Sequence, residues 1–249
     1  MNPIQLKSQK QRPALPRVTE PWMERKYELK SQDTLDTITT LLNRGISRMS
    51  VILRHSDRFY DKDYRMEPFM GLTEPGKTYA LELGKSLPAS IIPKLYSSHF
   101  GRCIETAYLI DKGYTKANGT HLSHNVTSHI LAPFYIRDIE KALGLMMESG
   151  GQKFIRNWFD NAIDETIMEN PEQTAELLTE FMGNCLSDLD SGQVAVCVSH
   201  DWNIFPIKEF KLGIPHEGAG DVGYLDGVVF YEDGGNRFAV TRGTDPVVL

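Results

Sequence analysis

Three short apolar runs in this 249-residue chain end on side chains suited to handling an anion. Val51-Ile52-Leu53 leads into Arg54, His55 and Arg58; PKLYSS supplies Ser97 and Ser98, with Arg102 just beyond; QVAVCVS leads into His200 and Asp201. If the three runs are neighbours, their arginines and histidines converge on one pocket, and only an anionic ligand makes that arrangement electrostatically tolerable. Forked guanidiniums suit the oxygens of a phosphate, because each donates two parallel hydrogen bonds. A histidine among fixed cations resists protonation and keeps one ring nitrogen free to attack phosphorus. A second histidine and the arginines then stabilise charge on the transferring phosphoryl group. A leaving alkoxide needs a proton, and Asp201 is the carboxyl nearest in sequence to this pocket.

The elements that must position these groups follow from the apolar pattern. Short continuous apolar runs read as buried strands of a largely parallel sheet, and ligands of open α/β sheets bind where such strands end. Leu35, Ile38, Leu41 and Leu42 have helical spacing over 33–44, with Gly45 at the end. Thr73 caps a further helix with Pro75 in its first turn and Ala80, Leu83 and Leu87 on one face. Cys103, Ala107 and Ile110 mark the next helix, and 113–137 reads as a loop-rich insertion. Helical patterns return at 138–148, 152–165 and 171–189, the last opened by Pro171. GVVFYE and NRFAVTR flank the hairpin signal Asp233-Gly234-Gly235. The alternation predicts a three-layer α/β/α sandwich with a mostly parallel central sheet and antiparallel edge strands. Residues 1–22, rich in proline, are expected to form a flexible arm, and 23–249 a single catalytic domain.

Composition narrows the partners. The chain is 41% apolar and 24% charged, ordinary values for a globular domain. Its net charge is −6, divided between a leader of +4 over residues 1–30 and a body of −10. An acidic body argues against nucleic acid. The chain lacks a run of about 18 apolar residues, so no membrane span is expected. The first residues lack an apolar signal core, so a cytoplasmic location is expected. Cys103, Cys185 and Cys197 are too few and too scattered for a disulfide framework.

These segments resemble those of the histidine phosphatase superfamily, which includes phosphoglycerate-mutase-like and acid-phosphatase-like enzymes. ILRHSDR is similar to the R-H-G-x-R signature, LTEPGKTYALELGKSL to the L-T-x-x-G-x-x-A-x-x-L-G-x-x-L helix, LYSSHFGRCIETA to S-S-x-x-x-R-x-x-x-T-A, and VCVSHDWNI to the second-histidine strand. The resemblance covers roughly residues 48–249 and implies a phosphoglycerate mutase-like fold. It implies that His55 accepts the phosphoryl group, that Arg54, Arg58, Arg102 and His200 hold it, and that no metal or other cofactor is needed. Asp201 matches the acid of the His-Asp branch; in the mutase-like branch the acid comes from the region after the second strand, where Asp138 and Glu140 lie. Ser56 stands in place of the usual glycine and is expected either to narrow the pocket or to donate an extra bond.

The expected activity is hydrolysis of a small organic phosphate monoester, such as a sugar phosphate, through a phosphohistidine. A phosphomutase using the same intermediate and a non-catalytic phospholigand-binding scaffold are the alternatives. Other candidates have blander readings. Arg65 and Asn203 suit surface or capping roles as well as substrate contact. His121, His124 and His129 mimic metal spacing but lie in a polar stretch without helical context. Cys103 beside Arg102 is more economically a core residue than a reactive thiol, and Trp158, Phe154 and Phe159 read as helix core rather than a ligand stack.

Overall fold

A computed structural model describes residues 21–219 and 222–249. Among them the strands are β1 (Arg48–Arg54), β2 (Ile92–Ser97), β3 (Val126–Thr127), β4 (Gln193–Ser199), β5 (Gly227–Asp233), β6 (Asn236–Val240) and β7 (Val247–Val248). They form one sheet in the order β3-β2-β4-β1-β5-β6-β7. The pairings β3-β2, β2-β4 and β4-β1 are parallel, and those from β1 through β5 and β6 to β7 are antiparallel. The sheet is therefore mostly parallel on the half that carries the chemistry, with a meander closing the other half.

The helices are α1 (Pro21–Asn43), α2 (Glu74–Ser86), α3 (Gly101–Asn118), α4 (Ile139–Ser149), α5 (Gly151–Phe159), α6 (Pro171–Ser187), α7 (Asp201–Pro206) and α8 (His216–Ala219). A 3-10 turn, Tyr64–Phe69, lies in the long connection between β1 and α2. The central strands bury both faces, and their side chains alternate between two cores. Met49, Val51 and Leu53 of β1, with Val194, Val196 and Val198 of β4, pack beneath α1, α2 and α3. Ile52 of β1 and Ala195 and Cys197 of β4 face the opposite core with α5, α6 and α7. This alternation under helices on both sides makes the three layers.

Local signals account for most element ends. The Thr73 hydroxyl accepts from the Gly76 amide and caps α2. Gly234 and Gly235 both have positive φ, as the two-residue hairpin between β5 and β6 requires. Three boundaries differ from the sequence reading. Helix α3 runs on to Asn118, carrying buried Gly113 and Tyr114, and stops at Gly119 in the left-handed region, so the irregular insertion is shorter than expected. Helix α5 ends at Phe159 instead of 165, because Asn161 turns to φ 56° and breaks the ladder. Residues 1–20 of the expected arm lie outside the described residues, while α1 begins at Pro21, well before the helix expected from Asp33, and so takes in Pro21 and Trp22.

Candidate active site

Three neighbouring parallel strands, β2, β4 and β1, end level with one another. Arg54 pairs with Ser199, and Ser97 with Val198. The ladder continues one step past the strands, with the His55 amide donating to the Ser199 carbonyl and the Ser98 amide to that of Val198, each at 2.9 Å. Backbone pairing thus brings Arg54, His55, Ser98 and His200 together, and Arg102 joins them from the first turn of α3.

His55 is buried, and its Nδ1 donates to the Ser56 carbonyl at 2.7 Å. That bond fixes the tautomer and leaves the lone pair on Nε2. Burial, reinforced by the charges of Arg102, His200 and Arg54, holds the imidazole well below its ordinary pKa. The ring is therefore a neutral base beside cations, the state that nucleophilic attack on phosphorus needs. His200 lies edge-on to it, with ring centroids 5.5 Å apart. A guanidinium only donates, so His200 Nδ1 accepts from Arg102 Nη2 at 3.2 Å, and Nε2 donates to Ser98 Oγ at 3.0 Å. His200 is also depressed well below its ordinary pKa, first by burial and then by Arg102, Arg58 and Arg54. Both of its ring nitrogens are committed to protein, so its direct contact here is with Arg102, whose orientation it fixes.

The arginines are held by different partners. Arg54 donates to the Val222 carbonyl at 2.6 Å, pairs with Asp201 at 3.1 Å and stacks on Tyr224 at 4.5 Å. Arg102 donates to the Glu67 carbonyl at 2.6 Å and lies over the Phe100 ring. Arg58 pairs with the Glu67 carboxylate at 2.7 Å and stacks on Tyr60 at 3.8 Å. The Nε–H groups of Arg58 and Arg102 are buried and have no acceptor among the described residues.

Glu67 is the residue that sequence reasoning missed. Its carboxylate binds Arg58 and lies 3.7 Å from Arg102, while its carbonyl holds Arg102. It sits in the 3-10 turn of the β1–α2 connection, where no periodicity or spacing marks it. Tyr224, beside both Arg54 and His55, was missed for the same reason.

The carboxyls named from sequence are dispersed. Asp201 opens α7, and both its oxygens accept hydrogen bonds, one from Arg54 and one from its neighbour's amide at Trp202. Asp138 instead caps α4, accepting from the Lys141 amide and pairing with the Lys141 ammonium. Glu140 accepts from the Tyr64 hydroxyl at 3.2 Å, which ties α4 to the 3-10 turn.

Ser56 does donate an extra bond, but to the protein: its hydroxyl is turned to the Gly76 carbonyl at 2.7 Å. It thereby clamps the nucleophile loop onto α2, where a Cβ on Gly76 would collide with the Asp57 backbone. Arg65 is exposed and pairs with Asp63. Asn203 is buried and donates to the carbonyls of Ile130 and Ala132, anchoring that loop. His129 stacks on His99, and the single metal-compatible cluster among the described residues is Glu209, His216 and Glu217, which excludes the three spaced histidines. The charges of that cluster are met by Arg156. Burial pushes the Cys103 thiol up to about 12, so it is not a thiolate despite Arg102. Trp158 is buried against Tyr135 with its indole N–H on the Glu169 carbonyl, a core position.

Solved structures share this architecture. A phosphoglycerate mutase from Bacillus anthracis superposes with a TM-score of 0.54 at 18% identity, covering 80% of this chain and 95% of that one. A mutant phosphoserine phosphatase from Entamoeba histolytica, complexed with phosphoserine, gives 0.51 at 15% identity, covering 79% and 96%. At such identities the likeness speaks to the fold alone, which is phosphoglycerate mutase-like. No curated protein sequence matches the chain. The family profile, however, matches residues 51–218, which hold both histidines and all three arginines. The chain belongs to the histidine phosphatase superfamily, branch 1.

Proposed function

We propose that this protein hydrolyses a small phosphate monoester through a phosphohistidine on His55. The observation that carries the reading is the Nδ1–H bond of His55 to the Ser56 carbonyl, which presents Nε2 with its lone pair beside guanidiniums. In the first step Nε2 attacks phosphorus and the P–O bond to the alcohol breaks. Arg54, Arg58 and Arg102 take up charge on the equatorial oxygens, and His200 keeps Arg102 aligned. The entering phosphate takes over Arg54 from Asp201, and Asp201, protonated once that pair is given up, supplies the proton for the departing alkoxide. In the second step water attacks phosphorus, the N–P bond breaks, and the water proton passes to the Asp201 carboxylate.

The guanidiniums perform the charge stabilisation that a metal supplies elsewhere, so the reading includes metal independence and no cofactor. The test is a screen of phosphate esters against purified protein with EDTA present. Turnover is expected together with an acid-labile, base-stable phosphate on His55. Activity that chelation removes and zinc or magnesium restores would overturn this mechanism.

A further inference from the structure

The groups just assigned to the phosphoryl half of the substrate stand between two walls of aromatic rings. On one side the Tyr224 ring lies 6.0 Å from His55 and under the Arg54 guanidinium. Its hydroxyl meets that of Tyr60 at 3.1 Å, and the Tyr60 ring carries the Arg58 guanidinium on its face. On the other side the Phe100 ring meets His200 edge-on at 5.0 Å and also carries Arg102. From Phe100 the rings continue through His99 to His129, stacked within 2° of parallel, and on to Phe134. These walls come from four separate segments, yet each begins on a residue of the phosphoryl site.

The Tyr60 end of the first wall is open to solvent in a way that core packing does not explain, while Tyr224 is 5% exposed. Tyr60 is 63% exposed and its neighbour Phe59 is 55% exposed. Large apolar surface left uncovered beside a polar site marks a place where a ligand sits. Several charged side chains of the same rim are paired, Asp63 with Arg65, Glu67 with Arg58, and Asp138 with Lys141, while Asp61 and Lys62 beside Tyr60 are exposed. Glu140 takes the Tyr64 hydroxyl. The rim thus offers ring faces to the alcohol half of an ester.

Resting on the phosphatase reading above, we infer that the substrate is a monophosphate ester of an aromatic alcohol, its ring held between the Tyr60–Tyr224 wall and the wall that starts at Phe100. A guanidinium on one face of Tyr60 orders that ring and leaves the opposite face for the ligand. A sugar phosphate would leave its hydroxyls against ring faces and lose the hydrogen bonds it makes to water.

The experiment compares 2-phenylethyl phosphate with n-propyl phosphate, whose alcohols are of nearly equal acidity, so that leaving-group quality does not mask recognition. The expected result is a kcat/KM about tenfold or more higher for the phenylethyl ester, the scale of one stacked aromatic contact plus its burial. Tyr60→Ala should cut that preference several-fold, and Phe100→Leu should do so from the opposite wall. Turnover of both esters at a ratio near one, or a preference that neither substitution moves, overturns the inference and leaves the phosphatase reading standing. Absence of turnover on both esters, together with absence of phosphohistidine after incubation with p-nitrophenyl phosphate, overturns the phosphatase reading and this inference with it.

Discussion

The strand ends and the β1–α2 connection both face the same pocket, but they are built by opposite means. Arg54, His55 and His200 are 8%, 2% and 3% exposed, whereas Phe59, Tyr60 and Phe69 of the connection are 55%, 63% and 73% exposed. The first group is carried on backbone whose hydrogen bonds continue the sheet ladder. The second is held by side-chain pairs: Glu67 to Arg58, Tyr64 to Glu140 and Tyr60 to Tyr224. Such side-chain pairs can be broken one at a time, while a ladder flanked by two apolar cores moves only when the domain opens. His55, Arg54 and His200 are therefore fixed to the sheet, whereas Arg58, itself on the connection, and Arg102, held by the Glu67 carbonyl, depend on the connection's side-chain pairs.

Substitutions at the strand ends should break activity outright. His55→Ala is expected to leave no measurable turnover of p-nitrophenyl phosphate and no acid-labile phosphate on the protein, since the covalent step has no substitute nucleophile. Undiminished turnover would refute the covalent route. Arg102→Ala should reduce kcat by roughly 100- to 1,000-fold, the range for removing a preorganised charge donor. His200 would then also lose the strongest of the charges that depress it. The urea midpoint should stay close to wild type, and a loss of activity that merely tracks unfolding would count against the assignment.

The proposed general acid has an expected effect of similar or smaller size. Asp201→Asn should lower turnover of an alkyl phosphate by roughly 100-fold and hurt p-nitrophenyl phosphate much less, because an acidic phenol departs without a proton. Equal losses on both esters would make Asp201 a positioning residue acting through its pair with Arg54. Glu67→Gln should then be measured on the same two esters.

Legibility from sequence follows the same division. Val51, Ile52 and Leu53 are apolar because both faces of β1 are buried, and that burial is what makes a strand and its end readable. Once the strands are placed, parallel pairing alone brings Arg54, His55 and His200 together. Thr73, Pro171 and the Asp233-Gly234-Gly235 turn were readable for a local reason, as each satisfies or shapes backbone within a few residues. Glu67 and Tyr224 were not, because Glu67 reaches Arg102 across 35 residues and Tyr224 reaches Arg54 across still more, from segments with no period. The partner of the Ser56 hydroxyl is not legible, because Gly76 lies 20 residues on and spacing does not show a side chain's direction. The stop at Asn161 depends on one positive φ that many sequences avoid.

Burying the imidazoles has a thermodynamic signature that the rim lacks. Both His55 and His200 are depressed in the folded protein, so below the unfolded value of about 6.5 the unfolded chain binds more protons than the folded one. Stability should fall as pH drops through 6.5 and keep falling toward the depressed folded values. Each histidine contributes about 1 kcal/mol of loss between pH 7 and 5.5. Urea denaturation at the two pH values measures it, and His55→Asn should shrink the difference by about that amount. An unchanged pH dependence in the variant would mean that His55 is not held neutral by burial.

The smallest effect is expected at the rim, from Glu67→Gln. The Glu67 carboxylate occupies Arg58 at 2.7 Å and lies 3.7 Å from Arg102, so an entering phosphate must share both guanidiniums with it. Neutralising it removes a like charge beside the anion, and glutamine still accepts one bond from Arg58. Because Glu67 is 26% exposed in its side chain, water screens much of the repulsion and the gain is limited to about 1 kcal/mol, or roughly threefold to fivefold. Inorganic phosphate should therefore inhibit the variant at a Ki lower by that factor, with kcat on p-nitrophenyl phosphate moved less than the Ki. A Ki that rises tenfold instead would show that Glu67 aligns Arg58 and Arg102 rather than competing for them. The β1–α2 connection would then be part of the rigid machinery, and the contrast between fixed strand ends and a replaceable rim would end at Phe59 and Tyr60.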